Sequence, residues 1–117
     1  MPSLDKIFAL NGDALQLRSQ RLNMLASNIA NASTPGYKAK DLDFDLAMKQ
    51  AQGGASLQKA MGDHTGYRVP LQSSLDGNTV ELSVEQTLFA ENAIQYRTTL
   101  SFMQGQVSSI RRALKGE

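Results

Sequence analysis

Cysteine is absent from this chain, tryptophan is absent with it, and histidine occurs once, as His64. Without thiols there is neither a disulfide nor a thiolate zinc cage, and a lone histidine builds no familiar metal site or Cys–His pair. His64 stands beside Asp63 in a polar stretch, where a solvated side chain is expected. Aromatic residues make up 6% of the chain and the net charge is only +1, so no strong field invites a polyanion. Arg111, Arg112 and Lys115 have no stacking residues among them, and as cations in the last turns of a helix they suit its dipole; nucleic acid is not an expected partner. No apolar run approaches the roughly 20 residues of a membrane span. The start, M-P-S-L-D-K-I-F, lacks the basic residues, continuous apolar stretch and cleavage site of a secretory signal. Taken alone that points to the cytoplasm, with export by a route that spares the N-terminus left open. There is no G-x-S-x-G and no glycine-rich phosphate loop, so no enzyme, cofactor or small-molecule substrate is expected. Asp41, Asp43 and Asp45 have calcium-like spacing, but Leu46 stands where the loop needs glycine and Gln52 where it needs glutamate.

What the chain does have is two long apolar stripes, one at each end. In the first, Leu4, Phe8, Leu15, Leu22, Leu25, Ile29 and Ala32 recur at heptad-like steps, interrupted by Asn11 and Arg18. Ile7, Leu10, Ala14, Leu17 and Met24 form a second line, so this helix needs several partners. Ser3 can cap it, and Asn11-Gly12 is a place for it to loosen. The second stripe runs Leu82, Phe89, Ala93, Tyr96, Leu100, Met103, Val107, Ile110 and Leu114, with Ser83 and Gln86 placed as a capping box. These patterns predict a mainly α fold. Long N- and C-terminal helices pair as a coiled coil, parallel or antiparallel, around a short irregular or small-β middle. The expected division is 1–33 for the N-terminal helix, 34–80 for the middle and 81–117 for the C-terminal helix.

The middle has few large apolar residues and is not expected to form a core of its own. Phe44, Ala47 and Met48 predict a short helix to about Gln52, and Gly53 to Gly66 reads as loosely held. Asp41, Asp43 and Asp45 read as solvated. Tyr67–Leu71 alternates like a short edge strand, and Ser74-Leu75-Asp76-Gly77-Asn78 predicts a turn leading to extended chain at Thr79–Leu82, together a hairpin.

Leu22, Leu25, Ile29 and Ala32 share a helix face that is stopped by Ser33-Thr34-Pro35-Gly36, with Tyr37 as an anchor beyond. Small residues around Leu25 and Ile29 allow close helix approach, and Asn28 and Asn31 can bond backbone across such a contact. The run A-S-N-I-A-N-A-S-T-P-G-Y-K, Ala26 to Lys38, resembles the N-terminal signature of bacterial flagellar rod and hook proteins. V-P-L-Q-S-S-L-D-G-N-T-V, Val69 to Val80, and A-E-N-A-I-Q-Y, Ala90 to Tyr96, look like segments of one rod-protein branch of that family.

The resemblance implies a structural subunit of the proximal rod, a tubular drive shaft around an export channel. Implied partners are further copies of the chain, the adaptor FliE, other rod proteins and, transiently, the flagellar type III export gate. The implied location is the periplasmic rod near the membrane ring, reached without signal cleavage. Phe44-x-x-x-Met48 resembles a short motif presented to that gate; a buried amphipathic turn is the other reading. Expected assembly residues are Leu22, Leu25, Asn28, Ile29, Asn31, Pro35, Gly36 and Tyr37 at the corner, and Tyr96, Leu100, Met103, Val107 and Ile110 on the last helix. Without the resemblance, the stripes fit a soluble helical-hairpin adaptor or export chaperone. The two helices cannot bury all their apolar surface, so assembly is expected to complete the fold.

Overall fold

The computed structural model describes residues 4–116, which leaves the Ser3 cap outside the described residues. The order is α1 (Leu4–Ala30), β1 (Lys40–Leu42), α2 (Phe44–Gln52), α3 (Leu57–Asp63), β2 (Thr65–Tyr67) and α4 (Leu82–Lys115). The 34 residues of α4 span about 51 Å at 1.5 Å per residue, and the molecule measures 64 × 27 × 17 Å. Among the described residues no helix is long and apolar enough to cross a membrane.

α1 and α4 pair antiparallel, stitched by polar contacts that climb one helix as they descend the other. Asn11 Nδ2 donates to Gln106 Oε1 at 3.4 Å, Arg18 to Gln95 at 2.5 Å, Arg21 to Asn92 at 3.5 Å and Asn28 to Glu85 at 3.0 Å. Asn11 and Arg18, the two breaks in the apolar stripe, are thus rungs of this ladder. α1 continues unbroken through Gly12; packing along α4 outweighs a glycine cost of about 1 kcal/mol.

The dry core lies beside this pair. Leu17 of α1, Leu42 of β1, Ala47 of α2 and Ala60 of α3 are buried together, with Met24, Phe44, Met48, Ala51, Leu57 and Met61 packed around them. The middle segment builds this core together with α1 rather than on its own, by laying small alanines and flexible methionines against Leu17 and Met24. The stretch expected to be loose holds α3 and β2. Ser56 caps α3 by accepting from the Lys59 N–H at 3.2 Å, and Asp43 caps α2 through the Leu46 N–H at 3.2 Å. His64 is half-buried rather than solvated. Its carbonyl accepts from the Asp43 N–H at 3.0 Å, and its Nε2 lies 2.6 Å from Gln50 Oε1.

The strand pairing also differs from expectation. β2 pairs with β1, antiparallel, with Lys40 opposite Tyr67 and Leu42 opposite Thr65. Residues 67–71 and 79–82 make no hairpin with each other. The Asp-Gly turn packs instead against the Pro-Gly turn that follows α1. Ser83 does not cap α4: the N-cap is Glu81, without a side-chain cap bond, because its carboxylate turns back to accept the Leu71 N–H at 2.9 Å.

Candidate assembly corner and its charge chain

α1 ends at Ala30, and Asn31–Ser33 form a turn. The last carbonyls of α1 are taken by the turn that follows: the Asn31 N–H donates to those of Ser27 and Asn28 at 3.1 Å and the Ala32 N–H to that of Ile29 at 3.2 Å. Asn78, 6% exposed, holds the turn itself: its Nδ2 lies 3.0 Å from the Asn31 carbonyl, 3.1 Å from that of Ala32 and 2.7 Å from that of Thr34. Its own Oδ1 accepts from the Val80 N–H at 2.7 Å. The flanking backbone joins in. The Gly36 N–H donates to the Asp76 carbonyl at 2.9 Å, the Thr79 N–H to the Tyr37 carbonyl at 2.9 Å, and the Ala39 N–H to Thr79 Oγ1 at 2.8 Å. Gly36 and Gly77 both take φ of 76°, a left-handed backbone that glycine adopts freely. The two signature stretches, 26–38 and 69–80, are therefore two halves of one lock.

Behind this corner runs an alternating chain of charges. Asp41 of β1 is gripped at two oxygens by Arg21 of α1, at 2.7 and 3.0 Å, and its Oδ2 also accepts from Arg68 at 2.8 Å. Arg68 pairs in turn with Glu85 of α4, which is fully buried. Asn28, also fully buried, donates to Glu85 and to the Lys40 carbonyl at 2.7 Å, and accepts the Lys40 N–H at 3.1 Å. Two cations and two anions balance, and the chain ties α1, β1, the segment after β2, and α4 at one point. Burial pushes the Asp41 carboxyl up, but the bonds from Arg21 and Arg68 outweigh it and hold the group below the usual carboxylate range. The bond to Asp41 likewise raises Arg21. The reading of all three aspartates as solvated is thus corrected for Asp41; Asp43 and Asp45 are exposed.

The expected assembly residues separate by depth. Leu25 and Asn28 are sealed inside the subunit, so they shape the corner from within and present no surface to a neighbour. Leu22, Ile29, Asn31 and Tyr37 are half-buried, and Pro35 and Gly36 are exposed. On α4, Tyr96, Met103 and Ile110 are half-buried against α1, while Leu100 and Val107 are 37% and 41% exposed. Phe44 and Met48 pack on the core, with the Arg18 guanidinium 3.7 Å above the Phe44 ring. Sequence reasoning missed Arg21, Asp41, Arg68, Asn78, Glu85 and Asn92. The signal available was their chemistry: polar side chains at or beside positions that the apolar spacing marks as inward.

A family model described as flagella basal body rod protein matches residues 11–38, from the first rung of the ladder to the far side of the Pro-Gly turn. The flagellar basal body rod protein FlgB of Cereibacter sphaeroides (strain ATCC 17029 / ATH 2.4.9) is 43% identical over 119 residues, covering 92% of this chain and 93% of its own length. This chain belongs to the FlgB family of flagellar basal body rod proteins. The FlgB of Aeromonas hydrophila is 42% identical over 128 residues, with 98% and 97% covered, and that of Escherichia coli (strain K12) is 37% identical over 134 residues with the same coverage. Members of the FlgB family are structural parts of the flagellar rod, and that role replaces the adaptor or chaperone reading.

Proposed function

We propose that this chain is a subunit of the proximal rod, stacked with further copies and with other rod proteins into a tube that transmits torque and encloses the export channel. The observation that carries the proposal is the mismatch between a finished head, where β1, β2, α2 and α3 pack beside the second half of α1, and an unfinished α4. Leu100, Phe102, Val107 and Leu114 stay open to solvent along a helix that the head does not cover. Apolar surface left this way on a long rigid element marks a contact site. A shaft also needs corners that do not flex, and the lock of Asn78 on the end of α1 supplies one. In this role the adaptor FliE lies at the membrane-ring end. The chain reaches the periplasm through the type III export gate with its N-terminus intact, and neither cofactor nor catalysis takes part. Because Phe44 and Met48 are packed inside the head, a gate that reads them reads the chain before it folds. Replacing Ile29 by aspartate tests the corner: rod assembly and swimming are lost while secretion of the subunit persists. Normal swimming by that variant would reject the assignment.

A further inference from the structure

Beyond the head and the corner, one exposed stretch stands out. Tyr67, Val69 and Leu71, at alternate positions leading out of β2, are 68%, 84% and 85% exposed. The segment is not loose. Arg68, between the first two, is anchored in the charge chain, and the Leu71 N–H is held by Glu81. A rigidly presented apolar strip of this kind is arranged for a partner, since ordering it costs nothing further on binding. Lys40 marks one end, its Nζ 5.5 Å from the Tyr67 ring centroid.

The matching surface is on the outer side of α4. Ile94 and Phe102 are 67% and 59% exposed. They stand eight residues apart, about 12 Å along the axis, while Tyr67 to Leu71 spans at most about 13 Å. Between the two knobs the outward residues, Thr98 and Ser101, are small and polar. Glu91, one turn before Ile94, is exposed and makes no ion pair among the described residues. Acid, knob and knob on α4 therefore follow the same order as the cation of β1 and the strip that runs from Tyr67 out of β2.

We infer that the Tyr67–Leu71 strip of one copy receives the Glu91–Phe102 face of α4 from a second copy. Ile94 enters between Tyr67 and Val69, Phe102 lies past Leu71, and Glu91 faces Lys40. The two surfaces differ, so the contact is heterologous and propagates rather than closing a dimer. The inference rests on the rod assignment and adds the faces that meet.

The chain has no native cysteine, which makes cross-linking direct. The full chain carrying Val69→Cys and Ile94→Cys is expressed in flagellated cells lacking their own subunit of this family. Basal bodies are isolated, oxidised mildly and run on a non-reducing gel. A ladder at multiples of the chain mass is expected, with each single variant giving only the monomer band. The pair Leu71→Cys with Phe102→Cys gives the same ladder and guards against misfolding of the first. Chain that is present in the basal bodies but stays monomeric in both pairs overturns this contact and leaves the rod assignment standing. Homodimers from Val69→Cys alone, as in edge-to-edge strand pairing, or a link to a different protein, also overturn it. Absence of the unmodified chain from basal bodies contradicts the rod assignment itself.

Discussion

The two ends of α1 live in different surroundings. From Leu17 to Asn28 the helix is packed on three sides, by β1, α2 and the start of α4, and Leu17, Leu25 and Asn28 lose all contact with solvent. From Asp5 to Gln16 it has α4 as its main neighbour, and no side chain there or on α4 beyond Asn92 is fully buried among the described residues. The same helix is thus a core element at one end and one half of a bare two-helix pair at the other. Two helices alone bury one stripe each, whereas a third layer converts that stripe into an interior. The head holds a closed core within a single chain, whereas the distal pair leaves Leu100, Phe102, Val107 and Leu114 open to solvent.

Several substitutions would break or sharpen this contrast. Arg68→Ala is expected to have the largest effect, about 3–5 kcal/mol in urea unfolding, because it strands Glu85 as a buried, unpaired charge. Leu17→Ala follows at about 2–5 kcal/mol, the cost of a cavity in the head. Val107→Ala, by contrast, is expected to change the isolated chain by less than about 1 kcal/mol while weakening incorporation into the rod. Equal losses from Leu17→Ala and Val107→Ala would erase the distinction between the two ends. Asn78→Ala removes the donor shared by three carbonyls, at about 1–3 kcal/mol, and should speed amide exchange in residues 31–39 more than in α2.

The smallest expected effect is one of pH. The folded-state depression of Asp41 stabilises the protein above its unfolded value of about 3.9. That contribution disappears as pH falls through the lower folded value. Unfolding free energy measured from pH 6 downward should therefore drop below about pH 4, and Asp41→Asn should flatten that part of the curve.

The two long helices were legible because their stripes repeat over many turns, and the Pro-Gly stop and short α2 because Pro35 and Gly53 act locally and Phe44, Ala47 and Met48 share a face; the Asp43 cap was not foreseen. What escaped was set by partners distant in sequence. β2 pairs with β1 where Arg68 meets Asp41 and Glu85, and no local pattern reports that. Asp76-Gly77 keeps its turn chemistry, but its destination depends on the Pro-Gly turn after α1, some 40 residues away in sequence. The core of the middle segment was hidden by its small residues: Ala47 and Ala60 count for little in an apolar tally, yet both are fully buried. At the corner, the signature words pointed to the right stretches without showing that they lock to each other.

The most direct test compares hydrogen exchange in the isolated chain and in assembled rods. In the isolated chain, amides around Leu17, Leu42, Ala47 and Ala60 should be strongly protected, while those from Leu100 to Lys115 exchange fast and slow down only on assembly. Uniform protection of α4 in the isolated chain, unchanged on assembly, would contradict the division into a finished head and an unfinished pair.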